Sequence, residues 1–350
     1  MAIRAPYAKR IAEPLLRTFS QEKEPEALEQ IAEILHQTAL YFIKFGEYYL
    51  ASWVFIHLKE RLRELQESKD NQYQRVINTL LKPLEPTVIE MLMDDIKSSV
   101  ASRQQEATLF LSSMDMQILP HLINLIKKEG DLRVRQLAAH LIQTLGIEAV
   151  QSLKRELVLE FTAEDRIRIL EIIDTVTQDL QVELSYALSD ERPQVRRAAF
   201  RLAERLDNEQ IAELLCEYAQ IEKADVAIQA IKSLGRLKVA SAVNVLISIL
   251  NKAKGQEVQT ACCVALGQIA DPGSMEPLIH ILTQKGRMFL QKKYSDSIRS
   301  AAAAALAQIH HPRVMEVFKS FSEDRDPRIR QTARNILKDN STMDTKSKTV

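Results

Sequence analysis

Apolar positions recur through the last three quarters of the chain in one repeated arrangement. Val134, Ile167, Val195, Val226, Val258, Ile298 and Ile329 each open it, 28 to 40 residues apart, which is the length range of a unit made of two helices and a turn. Four places later come Ala138, Glu171, Ala199, Ala230, Cys262, Ala302 and Ala333. Eight places later come Ile142, Thr175, Ala203, Leu234, Leu266, Leu306 and Leu337. Positions four apart lie on one side of a helix, so the three share a face that must be buried. A small residue at the middle position lets two helices approach closely. Glu171 alone departs from that rule.

Each of these helices follows another apolar segment, as at 119–126, 243–250, 277–282 and 314–318, so the unit is a helical hairpin. Before the second helix stand Asp131-Leu-Arg-Val134-Arg135, Glu164-Asp-Arg-Ile167-Arg168 and Asp326-Pro-Arg-Ile329-Arg330. An acid at a helix start accepts from free amides and suits the helix dipole. No segment alternates with the period of a strand between turn signals. The 8 glycines in 350 residues also fall far below the usual ~7%. The chain is expected to be all-α.

These residues carry a resemblance. The segment 84–338 resembles the HEAT repeats, and among them the bacterial HEAT-like type named after phycobilin lyases, with its best matches at 131–146, 193–206, 258–271 and 298–337. The resemblance implies a right-handed α-solenoid and a ladder of Asp and Arg between units, carried here by Asp131, Arg135, Arg168, Arg196, Arg299, Asp326 and Arg330. Ala227 and Gln259 stand where two middle units should have the Arg. At the other end, Gly46-Glu-Tyr48-Tyr49-Leu-Ala51 is similar to the turn and second-helix start of a tetratricopeptide hairpin. It would join a helix near 24–45 to one through 53–65. The expected organisation is an N-terminal helical cap at 1–83, which covers the first apolar edge of the array as solenoids require, the repeat array at 84–338, and a disordered tail at 339–350 without periodic apolar residues.

Charge narrows the function classes. Lys and Arg total 47 against 47 Asp and Glu, a balance that argues against a general nucleic-acid or anionic-membrane binder. The apolar stretch 38–58 approaches bilayer length, but Lys44, Gly46 and Glu47 interrupt its centre, so a hairpin is expected there and no membrane insertion. Self-association through its aromatic cluster is the alternative role for this N-terminal region. Cys216, Cys262 and Cys263 have no metal-ligand spacing and sit on helical faces, which fits a reducing cytoplasm. The first residues lack the apolar core of a signal peptide.

Chemistry has few candidates. Iron-dependent peptidyl-lysine hydroxylases of related fold hold metal through repeated His-Glu pairs, and none of the seven histidines here precedes an acid. No nucleophile elbow or Gly-rich phosphate loop occurs. No enzymatic activity, metal or cofactor is expected. The resemblance supplies one alternative, handling of a bilin chromophore on a partner protein.

Binding is more legible. Residues two and six places after each opening position should line the concave side: Gln136 and His140, Arg197 and Arg201, Ile228 and Lys232, Thr260 and Val264, Ser300 and Ala304, Gln331 and Asn335. A nucleic-acid groove would carry Lys or Arg in every unit with interleaved aromatics. This row has a basic spot at Arg197, Arg201 and Lys232 beside an apolar strip at Ile228, Val264 and Ala304, which suits a segment of a partner protein. The longest gap between units holds a basic-aromatic insertion at 284–296. Its Arg287, Phe289, Lys292, Lys293 and Tyr294 are expected to join that surface. The expected function is a non-catalytic, cytoplasmic interaction scaffold. Nucleic-acid binding through the Arg and Lys patches remains the other alternative.

Overall fold

The computed structural model describes residues 4–159, 162–253, 255–284 and 294–347. Twenty α-helices and no strand occur among the described residues. The chain divides by contacts into two compact units, Met1–Gln178 and Asp179–Val350, so the boundary expected near 83 lies inside the first.

The first unit holds α1 (Arg4–Gln21), α2 (Pro25–Lys44), α3 (Tyr48–Ser68), α4 (Gln74–Leu80), α5 (Pro86–Ile96), α6 (Ala101–Ser112), α7 (Leu119–Lys128), α8 (Leu132–Thr144), α9 (Ile147–Val158) and α10 (Ala163–Leu170). Second helices α3, α6 and α8 stack in one row, and α2, α5 and α7 in another. The N-terminal hairpin forms as the turn signal implied. Leu28, Ala32, Leu35, Ala39 and Ile43 of α2 are all 0% exposed, at the spacing of one helical face. Gly46 then takes φ +75, while the Glu47 N–H reaches the Phe42 carbonyl at 2.9 Å and ends the helix. An added Cβ at Gly46 would meet nothing within 4 Å, so the left-handed backbone, not space, selects glycine. At the first residue of α3, the buried Tyr48 phenol donates to Asp95 of α5. No single described helix is long and apolar enough to cross a membrane. Two segments, Ala101–Ser112 and Met116–Lys128, reach that length only together, across a 119° bend.

The second unit holds α11 (Gln181–Leu188), α12 (Pro193–Leu206), α13 (Glu209–Tyr218), α14 (Ala224–Arg236), α15 (Val243–Lys252), α16 (Gln256–Ile269), α17 (Met275–Thr283), α18 (Asp296–Leu306), α19 (Pro312–Lys319) and α20 (Pro327–Ser347). They pair as hairpins, and α12, α14, α16, α18 and α20 follow one another in a single row. The backbone of α20 stays helical to Ser347, across positions 339–347 where the sequence suggested a tail.

The repeat pattern holds with one slip. Val134, Val195, Val226, Ile298 and Ile329 are buried, Val258 at the start of α16 is only half-buried, and the middle residues Ala138, Ala199, Ala230, Cys262, Ala302 and Ala333 are all 0% exposed. In the unit expected to open at Ile167, the phase is two residues earlier. Asp165, Ile169 and Ile173 occupy the three buried positions, while Glu171 and Thr175 are exposed. The cause is Arg166, buried in place of Arg168, whose guanidinium reaches back to the Leu159 carbonyl at 2.7 Å. The apparent exception at Glu171 is therefore a misplaced frame.

Buried arginines clasp the turns in the same manner elsewhere. Arg135 donates to the carbonyls of Glu129 and Gly130 at 3.0 and 3.2 Å and to Glu171 at 2.6 Å. Arg196 donates to the carbonyls of Asp190 and Glu191 at 2.8 and 2.9 Å and to Asp225 at 2.5 Å. Arg299 reaches Asp324 at 2.8 Å. Each pair joins successive units, so a ladder exists, but its acceptors are Glu171, Asp225 and Asp324. Asp131 and Asp326 accept instead from the Arg133 and Arg328 amides at 2.8 and 2.9 Å, as helix caps.

Where the arginine is missing, a different contact binds the row. With Ala227 and Gln259 in that position, Gly235 of α14 lies where a Cβ would stand 2.8 Å from the Ala265 Cα of α16. Gly267 of α16 likewise lies where a Cβ would stand 2.6 Å from the Ala305 Cα of α18. Backbones touch there because both partners have almost no side chain.

Candidate protein-binding face

Helices α14, α16 and α18 each spend one side on their own first helix and two flanks on their neighbours in the row, while α12 packs on α11 and α14 and α20 on α18 and α19. A fourth side stays open. Arg197 and Arg201 of α12, Lys232 of α14, Val264 of α16 and Ala304 of α18 are exposed on it, and Ile228, Thr260 and Ser300 are half-buried. On α20, Gln331 and Asn335 are exposed and bonded to each other at 2.8 Å. Gln136 and His140 are exposed on α8 of the first unit. The six-place position is thus exposed in every unit where the expected frame holds, which follows from the helical period.

The structure brings together only part of the expected site. Arg287, Phe289, Lys292 and Lys293 lie outside the described residues, and Tyr294 is half-buried with an interaction of its own. Arg197, Arg201 and Lys232 make no ion pair among the described residues, whereas Arg236, one turn beyond Lys232, holds Glu204 at 2.6 Å. Glu204 also accepts from the buried Ser233 hydroxyl at 2.6 Å, tying α12 to α14.

A shallow groove of about 750 Å³ runs over α14, α16 and α18. Its floor is Val264, Gly267, Ala301, Ala304 and Ala305, and its margins include Arg236, Lys238 and His310. Lys238 sits at φ 53 just past the end of α14. The sequence reading missed Gly235, Gly267, Arg236, Lys238 and His310. A signal did exist: glycine nine places after Val226 and Val258, and alanine seven places after Val258 and Ile298, the two sets that meet in the row.

Cys262 and Cys263 are fully buried behind this face, and burial pushes both thiols up to about 12, far from thiolate. Among the described residues no group of three His, Cys, Asp or Glu side chains is arranged to hold a metal ion.

A family model described as HEAT repeats matches residues 181–267 and 222–288, all within the second unit. Solved structures give low similarity over most of the chain. One engineered protein is 18% identical at a TM-score of 0.37, covering 93% of this chain and 98% of its own. A crystal structure of Kap121p is 12% identical at 0.36, covering 95% of this chain and 49% of its own, so this chain spans about half that protein's length. Human deoxyhypusine hydroxylase in complex with glycerol is 15% identical at 0.27, covering 97% and 98%. No curated protein matches the sequence. The row of stacked hairpins makes the second unit an all-α solenoid, and the stretch 181–288 within it is the part that matches the HEAT-repeat model.

Proposed function

We propose that the chain is a non-catalytic scaffold that binds a partner protein through the open side of α12, α14 and α16, at Arg197, Arg201, Ile228, Lys232, Thr260 and Val264. The observation that carries this reading is the set of exposed cations that make no ion pair among the described residues, beside an exposed apolar residue, on the side of the helices turned away from their packing partners. Exposed charge next to apolar surface suits protein recognition, since charge steers encounter and apolar contact holds the complex. The insertion at 284–296 is proposed to extend the same surface with Arg287, Phe289, Lys292, Lys293 and Tyr294.

The test is affinity capture from cross-linked cells with the intact chain as bait, comparing wild type with Arg197→Glu/Arg201→Glu/Lys232→Glu. The expected result is loss of specific co-eluting proteins at an unchanged melting temperature. Unchanged capture retires the surface. Visible absorbance in the captured material would redirect the reading to chromophore handling.

A second reading rests on a separate observation. Ile34, Tyr41 and Tyr49 of the first hairpin are 50%, 50% and 77% exposed, which suits self-association of the N-terminal region. Light scattering of Tyr41→Glu/Tyr49→Glu against wild type tests it, and an identical mass for both would end it.

A further inference from the structure

The open face of the second unit changes character along the row. In helix order α12, α14, α16, α18, the six-place residues are Arg201, Lys232, Val264 and Ala304, and the ten-place residues are Arg205, Arg236, Gln268 and Gln308. Cations occupy the first two helices at both positions, and none occupies the last two. The groove over α14, α16 and α18 continues this polarity, with a floor of small side chains, cations at its α14 margin and no carboxylate in its lining. The floor cannot deepen, because α16 and α18 already touch through Gly267 and Ala305.

We infer that this face takes an acidic polypeptide segment laid across the row, its Asp and Glu residues over α12 and α14 and its compact apolar residues in the groove over α16 and α18. The inference rests on the protein-binding reading above and adds the partner's chemistry and direction. Carboxylates gain from Arg201, Lys232 and Lys238, which carry no ion pair among the described residues, and a basic segment meets repulsion at the same place. Small apolar side chains fit a shallow floor of alanine and glycine, where a bulky one would stand out in water. A nucleic acid fits less well. It repeats its charge at every nucleotide, while Val264, Gln268, Ala304 and Gln308 offer no cation, and no Phe, Tyr or Trp lines the groove for base stacking.

Fluorescence anisotropy with the full chain tests this directly. The probes are a labelled peptide of glutamates followed by alternating alanine and valine, the same peptide with lysines for glutamates, and an oligo-dT strand. The glutamate peptide is expected to bind and the lysine peptide not to. Arg201→Glu/Lys232→Glu should weaken it by roughly tenfold or more, and Ala304→Glu, at an exposed position, should weaken it comparably without shifting the melting temperature. No binding of the glutamate peptide, equal binding of the lysine peptide, tighter binding of oligo-dT, or indifference to Ala304→Glu would each overturn the inference. If partner capture is lost in the arginine and lysine reversals while the glutamate peptide fails to bind, the scaffold reading stands and this one falls.

Discussion

Substituting Gly267 by alanine sets two physical effects against each other, and the structure decides between them. Helix propensity alone favours the change, since alanine in a helix interior is about 0.8 to 1.0 kcal/mol better than glycine. Packing opposes it. The new Cβ would stand 2.6 Å from the Ala305 Cα and 2.8 Å from its Cβ, against the ~3.5 to 4.0 Å of a normal carbon contact. Helix α18 would have to retreat by about 1 Å, yet it is packed on α17 and α20 as well as on α16. Overpacking a filled interior costs about 1 to 3 kcal/mol, and the lack of a free side puts this site near the upper end. The net expectation is destabilisation by about 2 kcal/mol, a fall of order 1 M in the urea midpoint. Gly130→Ala is the control, because a Cβ there meets nothing within 4 Å and should add about 0.4 to 1 kcal/mol of stability, raising the midpoint. Far-UV circular dichroism gives the midpoints, and amide exchange on α16 and α18 localises the effect. A Gly267→Ala midpoint equal to or above wild type would show that the two backbones are not in contact.

Arg299 is 4% exposed and paired with Asp324, so Arg299→Ala should cost about 3 kcal/mol by taking the guanidinium away from a poorly solvated carboxylate. Arg236→Ala, with half of its side chain in water, should cost under about 1 kcal/mol, and equal thermal shifts for the two would contradict the burial argument. His36 is 5% exposed, and burial holds its imidazole below the ordinary 6.5, with Glu33 pulling the other way. A lowered value in the fold means that stability is full above the unfolded-state value and is lost as pH falls beneath it. The melting temperature of wild type should thus drop more than that of His36→Gln between pH 8 and about 5, and parallel curves would remove His36 from the acid response. Cys262 and Cys263, with thiols pushed up to about 12, should resist a thiol reagent in the native protein and react in urea. Fast native labelling of either would place it nearer the surface than the packing allows.

The sequence pattern carried most of the second unit because its period coincides with its burial. Small residues at the middle position are core residues wherever the frame is right, and the outward positions then follow from helix geometry. The frame failed at Ile167 because Val-Arg or Ile-Arg was taken as the marker, and Asp165-Arg166 fills the same two places with a buried acid. The marker that survives is the arginine whose guanidinium can reach the preceding turn. The N-terminal hairpin was legible from Gly46, since a left-handed helix end selects glycine on backbone grounds alone. The candidate site was half legible. Arg197, Arg201, Lys232 and Val264 emerged from the period, whereas Lys238 and His310 lie past helix ends, where the period no longer assigns a face. Gly235 and Gly267 were passed over because a helical glycine reads as a weakness until its partner in the next helix is known.

The groove and the missing arginines have a common origin. The unit built on Arg196 uses a long side chain to reach the next repeat and keeps long side chains on its open side at Arg197 and Arg201. Units built on Ala227 and Gln259 lack that reach, so their helices must meet directly, and direct meeting requires glycine and alanine on the facing flanks. The same small residues run onto the open side as Ala301 and Ala304 and leave it bare. The charge changes between α14, which still carries Lys232 and Arg236, and α16, the helix that meets both of its neighbours in the row through glycine and alanine. A partner that reads this face reads the place where the packing changes.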